Sequence, residues 1–290
     1  MSLYVIGVDG GASKTRCFVA SLNGDVMAEG LGGCANKNVT SWEDAVLQVR
    51  LAVMDALVKG EVLPSQIAAA HYGLGGVSSD ACITRWKEAV NNLSPNGVIS
   101  VENDVFLAVH AVDCREGIGV VSGSGGNIGA ISKGKAFHVN GRVPFNSSQL
   151  GRRALEELMN LIQKKERLDR FGEAVVNLAG LDEAQFFKEV YLSLDGAAAR
   201  IAPIVVELSN QENLEARSMV LDWLAGVNRS IQHFQVTNEL HSFPICFGGA
   251  TFSSMGSLIL EHMETSSEIL VSPIPLAAGA VKAAIRKLGV

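Results

Sequence analysis

The chain has 290 residues, 48% of them hydrophobic and 19% charged, enough apolar material for one large domain or two ordinary ones. Its net charge of −6, with 24 basic against 30 acidic residues and no basic stripe, argues against a nucleic acid or an anionic membrane as partner. Five scattered cysteines with no C-x-x-C pair provide no disulfide framework, zinc ribbon or cluster motif.

In chain order, residues 3–9 and 15–22 read as buried strands, and Asn23-Gly24 as a hairpin turn into a third. Residues 40–60 read as a helix. Val46, Val49, Val53 and Leu57 recur at helical spacing, Thr40 and Glu43 suit a capping box, and Gly60 suits a C-cap. Residues 67–77 read as a strand and glycine turn, 80–93 as a helix, 96–102 as a strand and 105–112 as a helix. A second triple-strand meander starts at residue 117, with turns at Ser124–Asn127 and Lys133–Lys135. This is a duplication of topology, not of sequence. Residues 150–235 read as mostly helical, including a long stretch from Asn213 to Phe234, and Gln163–Arg167 as a solvated helix end. A strand with a glycine turn (243–249), a helix (252–264), a strand (267–273) and a closing helix (275–290) follow. Two meander-plus-helix halves with a cleft between them predict an α/β protein of actin-like ATPase architecture. The N-terminus has no basic-then-apolar leader, and no run of roughly 18 apolar residues occurs, so a cytoplasmic location is expected.

The first turn, Asp9-Gly10-Gly11-Ala12-Ser13-Lys14-Thr15, carries more chemistry than a hairpin needs. Glycine amides in a tight turn form an anion-binding concavity, Ser13 and Thr15 add hydroxyls, and Lys14 adds a positive charge. Asp9, ending a strand, suits a metal held with a polyphosphate, directly or through water. The turn is neither a Walker A, since Ser13 rather than glycine precedes Lys14, nor a Rossmann turn, since the flanking elements are both strands. Ser122, Gly123, Ser124, Gly125 and Gly126 repeat the small-residue turn at the duplicated position and suit the far side of the same phosphates. Asn103-Asp104 stands between a strand and a helix, where Asp104 suits an N-cap or a general base for phosphoryl transfer. Glu102 ranks below it because strand alternation turns it away from the cleft, and Asp113 because it falls after the helix. Gly248-Gly249 allows a close approach to adenosine and equally suits a plain strand-to-helix turn. Asn36, Lys37 and Asn38 make a polar loop that suits a sugar or only itself. The six histidines lack metal-ligand spacing, so core or surface roles are expected of all.

Five short stretches in order, "GVDGGASKT", "GGCAN", "END", "SGSGGN" and "FGGA", are similar to motifs of the N-acetylglucosamine kinase family within the BadF/BadG/BcrA/BcrD ATPases. The resemblance implies two RNase-H-like domains, 1–114 joined by helix 275–290 and 115–274, closing on ATP-Mg²⁺ and an amino sugar. It implies Asp104 as base, Asn36, Gly75, Gly76, Asn103 and Asn146 at the sugar, and Gly10, Gly11, Ser13, Lys14, Thr15, Ser122, Gly123, Ser124 and Gly125 at the phosphates. A homodimer is compatible with it. The family's Gly-Trp-Gly and Gly-Asp-Glu-Gly-Ser stretches have no counterpart in "NGRVPFNSSQLGRRALEE", where Asn146, Ser147 and Ser148 offer only neutral groups. An activator or sensor ATPase that drives a partner protein is the alternative. The activator form needs cluster-binding cysteines, which the scattered five do not provide.

Overall fold

The computed structural model describes residues 3–139, 143–163, 170–180 and 183–289, so residues 140–142 and residues 164–167 of the basic run lie outside it. Its described residues form two five-stranded sheets. The first takes β1 (Tyr4–Gly10), β2 (Thr15–Ser21), β3 (Val26–Gly32), β4 (Ile67–Leu74) and β5 (Val98–Glu102) in the order β3-β2-β1-β4-β5. The second takes β6 (Gly117–Ser122), β7 (Gly126–Ser132), β8 (Lys135–His138), β9 (Ile245–Gly248) and β10 (Ile269–Val271) in the order β8-β7-β6-β9-β10. In each sheet three antiparallel strands are followed by two that run parallel to the first. The duplication read from the meanders therefore extends through the whole sheet.

Both sheets are covered on both faces, which is why β1 and β6 read as nearly unbroken apolar runs. On one face of the first sheet Ile6, Val8, Cys17, Val19 and Tyr72 pack against Ala45, Val49, Ala52 and Val53 of α1 (Trp42–Lys59). On its other face Val5, Phe18, Ala20 and Ala69 pack against Ala277, Val281 and Ala284 of α11 (Leu276–Arg286). The second sheet carries a large core on one face, shared with α4 (Ser147–Gln163), α7 (Leu194–Asn210) and α8 (Leu214–Asn238). On its other face Val121 and Cys246 meet Leu107–Val109 of α3 (Leu107–Ala111). The short helix α3 and the last helix α11 thus cross between the sheets. Glycine sets the spacing there. A Cβ on Gly279 would stand 2.6 Å from the Leu107 carbonyl oxygen, and one on Gly7 would stand 2.3 Å from the Val281 nitrogen.

Several boundaries differ from the sequence reading. The cap of α1 is Ser41, whose Oγ accepts from the Asp44 N–H at 3.0 Å, one residue later than the expected Thr40–Glu43 box. The helix expected over 80–93 ends at Val90 and tightens into a 3-10 turn over Asn91–Leu93. The helix expected over 252–264 is two short ones, α9 (Ala250–Ser253) and α10 (Gly256–His262). The helix expected over 105–112 opens as a 3-10 turn, Asp104–Phe106, because Asn103 caps it through the Val105 N–H at 3.1 Å. That cap gives the two-residue Asn103-Asp104 motif a division of labour. Asn103 holds the backbone, so Asp104 is not the N-cap.

Candidate active site

A cleft of about 670 Å³ is lined from both halves. From the first half come the β1–β2 turn, with Asp9, Gly11, Ser13 and Lys14, the loop carrying Asn36 and Asn38, the Gly75-Gly76 turn after β4, and Asn103-Asp104 after β5. From the second half come the β6–β7 turn, Ser122 to Asn127, and the β9–α9 turn with Gly249, Ala250 and Thr251. The two small-residue turns thus occupy equivalent places in the two meanders and line the same space.

Local chemistry explains how each turn holds its shape. The Gly11 N–H donates to the Lys14 carbonyl at 3.0 Å, closing the first turn, and the Ala35 N–H donates to the Gly11 carbonyl at 3.0 Å. In the second turn the Gly123 N–H donates to the Gly125 carbonyl at 2.7 Å, and a Cβ on either glycine would meet only open space. The Ser122 hydroxyl is buried and has no hydrogen-bond partner. A buried hydroxyl without a partner costs stability unless a ligand supplies one. Gly76 has φ +81°, and a Cβ there would stand 2.6 Å from Oδ1 of Asn36, so the turn over the Asn36 loop requires glycine.

The carboxylates on the wall of this cleft among the described residues are Asp9 and Asp104. Burial pushes Asp9 up to about 7, the charge of Asp104 adds to the rise, and Arg16 and Lys14 offset only part of it. Burial likewise pushes Asp104 up to about 6, partly reversed by its own and the Val105 backbone N–H groups. A carboxylate at about 6 is still ionised near neutrality and is a stronger base than an exposed aspartate. Asn103 is tied into the protein on both sides of the cleft. Its Nδ2 donates to the Val77 carbonyl at 2.9 Å, and its Oδ1 accepts from Asn127 Nδ2 at 3.1 Å. His138 Nε2 reaches the same Val77 carbonyl at 3.1 Å.

Four expected ligands do not line the cleft. Thr15 is fully buried, and its hydroxyl donates to the Gly33 carbonyl at 2.7 Å, fastening β2 to the loop after β3. Gly10 packs against Leu74 and Ala35, and Gly248 against Leu276 and Ala108, so both are glycine for packing. Asn146 has its Oδ1 engaged by the Gln149 N–H at 2.9 Å at the start of α4, and its carbonyl accepts from Trp223 Nε1 at 3.1 Å. Conversely, Asn127, His138 and Thr251 line the cleft without having been singled out for it, while Asn38 lines it as the polar-loop reading allowed. Asn127, directly after a glycine turn, carried a usable signal. Ala199 and Pro203 of α7, which also line it, carry none.

The expectation that no histidines cluster is corrected. His71 of β4 and His110 of α3 both lie 3.0 Å, through Nε2, from Oε1 of Glu102. The expected outward turn of Glu102 is what brings it there, onto the face covered by α3 and α11. Asp113 forms ion pairs with Lys282 and Arg286 of α11. Sequence spacing missed the histidine pair because its members come from separate elements joined only by the β4–β5 register, which sets His71 opposite Ser100.

The fold and its cleft have known counterparts. A protein assigned as an N-acetylglucosamine kinase from Porphyromonas gingivalis superposes with a TM-score of 0.73 at 19% identity, covering 99% of both chains. A ROK family glucokinase from Streptomyces griseus, solved with glucose and AMPPNP, superposes at 0.67 and 15% identity, covering 97% of this chain and 98% of that one. At these identities the likeness is one of fold, the actin-like ATPase fold. In sequence, an N-acetylmuramic acid/N-acetylglucosamine kinase of Clostridium acetobutylicum is 31% identical over 123 residues, 42% of this chain and 40% of that protein. A glucosamine kinase of Vibrio cholerae is 26% identical over 164 residues, 56% of this chain and 54% of that protein. The chain therefore matches about half the length of these relatives or less. The model of the BadF/BadG/BcrA/BcrD ATPase family matches residues 6–285, nearly the whole chain, and the chain belongs to that family.

Proposed function

We propose that the chain is an ATP-dependent kinase of an amino sugar of the N-acetylglucosamine or glucosamine type. The observation that carries this reading is the pair of equivalent small-residue turns lining one cleft, with Asp9, Lys14 and Asp104 on its wall. The names of the two kinases with matching sequence support the sugar class.

The nucleotide lies with its polyphosphate between the turns, meeting the amides around Gly11 and Gly123–Gly125, the hydroxyls of Ser13, Ser122 and Ser124, and Lys14. Gly249 approaches the adenosine. Hard oxygen donors suit Mg²⁺, and Asp9 is the carboxylate placed to hold it; bound, the ion neutralises polyphosphate charge. The sugar lies by Asn36, Gly75 and Gly76, with one hydroxyl at Asp104. Asp104 accepts the hydroxyl proton as that oxygen bonds to the γ-phosphorus and the bond from the γ-phosphorus to the β–γ bridging oxygen breaks, giving a sugar phosphate and ADP. Asn103, spent on Val77, Val105 and Asn127, holds the base in place.

The test measures ADP release from ATP-Mg²⁺ with N-acetylglucosamine, glucosamine, N-acetylmannosamine, glucose and no sugar. Release that depends on an amino sugar is expected. Release indifferent to every sugar would overturn the kinase reading and favour an ATPase that works on a partner protein.

A further inference from the structure

We propose that His71, Glu102 and His110 form a binding site for one divalent transition-metal ion of the zinc class, separate from the nucleotide cleft. This inference does not depend on the kinase reading. Three ligand atoms, Nε2 of His71, Oε1 of Glu102 and Nε2 of His110, lie within 4.8 Å of one another. Each nitrogen is 3.0 Å from the oxygen and all three atoms are buried, so Glu102 is at present the partner of both rings. Two imidazole nitrogens and a carboxylate oxygen converging in a buried space are a donor set for such an ion, and a cation at their centre binds all three at once.

The rings are set for it. Their centroids are 5.5 Å apart with the planes at 87°, and both Nε2 atoms converge on the same Glu102 oxygen. A tetrahedral zinc site with bonds of about 2.0–2.1 Å separates its ligand atoms by about 3.4 Å, so a small outward movement of the side chains admits the ion. His71 has the outer hydrogen bond that such ligands carry, with Nδ1 2.7 Å from Ser100 Oγ, leaving Nε2 free to bind metal. At His110 the neighbour of Nδ1 is Nη1 of Arg286, 3.3 Å away, which also donates to the Cys114 carbonyl at 3.0 Å. Metal binding puts the proton on Nδ1 and leaves Arg286 to Cys114 and Asp113, to which it already donates. Two imidazoles and one carboxylate favour zinc, cobalt or nickel over Mg²⁺, so the magnesium of a nucleotide complex does not compete. The ion joins β4, β5 and α3 directly below the Asn103-Asp104 turn, and fixes that turn to the sheet.

The test uses the whole protein, dialysed against a chelator and titrated with Co²⁺ and then Zn²⁺. One equivalent per chain is expected, with the visible absorption of tetrahedral Co²⁺ displaced by Zn²⁺, and a rise in melting temperature with Zn²⁺ but not Mg²⁺. His110→Gln and Glu102→Gln are expected to weaken Zn²⁺ binding by at least about a hundredfold, since even loss of an outer partner costs 10–100-fold. His262→Gln, on α10 and outside the cluster, is expected to bind like the parent protein. Wild-type protein that takes up no stoichiometric Zn²⁺, or a folded His110→Gln protein that binds it unchanged, would overturn the proposal. Should the variants fail to fold, X-ray absorption of the zinc-loaded parent decides: two imidazole nitrogens support the site, and a sulfur ligand refutes it.

Discussion

At Asp104 and Asp9 the protein keeps two carboxylates where burial favours the proton, and at Asp9 the charge of Asp104 adds to it. Such groups take up protons on folding between the ordinary value of 3.8 and about 6 or 7, so the ligand-free protein loses stability as pH rises through that window. Asp104→Asn removes the cost. The variant is expected to unfold at higher temperature than the parent at pH 7.5 without ligand, by on the order of 1–2 kcal/mol, while sugar-dependent ADP release falls by about 10²–10⁴-fold. An equal or lower melting temperature would show that the carboxylate is not strained in place. The same shift sets the acid limb of activity. kcat/KM is expected to fall below about pH 6 as Asp104 takes up its proton, and a profile flat to pH 5 would remove it as the base. Lys14→Ala takes away the one cation on the phosphate side of the cleft among the described residues, so Kd for ATP is expected to rise about tenfold, or 1.4 kcal/mol. Unchanged affinity would return the first turn to a plain hairpin.

Among the elements, the crossing of α3 and α11 depends on atoms that are absent. Gly7→Ala places a methyl 2.3 Å from the Val281 nitrogen and 2.5 Å from the Ala277 carbonyl oxygen, both backbone atoms that cannot swing away. A loss of about 1–3 kcal/mol is expected, read as a lower denaturant midpoint with an unchanged slope. The elements themselves were largely legible. Strand runs, the Asn23-Gly24 hairpin and the second meander follow from composition and turn chemistry that act over a few residues. What was not legible depends on register between distant elements. Thr15 looked like a phosphate ligand because it stands beside Ser13 and Lys14, but strand alternation turns its hydroxyl inward to Gly33. Asn146 looked free because nothing nearby in sequence shows that a helix starts beside it. His71 and His110 showed no pattern because α3, not a local turn, supplies the second ligand.

In the molecule as a whole, the described residues of the two halves meet through the crossed helices, through Val105 and Phe106 against β6 and β7, and through hydrogen bonds over the cleft. Asn127 to Asn103 and His138 to Val77 are the last of these contacts. Cutting both with Asn127→Ala and His138→Ala is expected to enlarge the ligand-free radius of gyration in solution scattering, with unchanged far-UV circular dichroism. An unchanged radius would show that the other contacts alone fix the angle between the halves.

The crossing also orders events in time. One face of the first sheet, with Val5, Phe18 and Ala20, is covered by Ala277, Val281 and Ala284, almost the length of the chain away. While the protein is being made, that face stays bare until Ala277, Val281 and Ala284 have left the ribosome. The first half therefore cannot finish folding as it emerges. It waits, open to chaperones, for α11 to close over it.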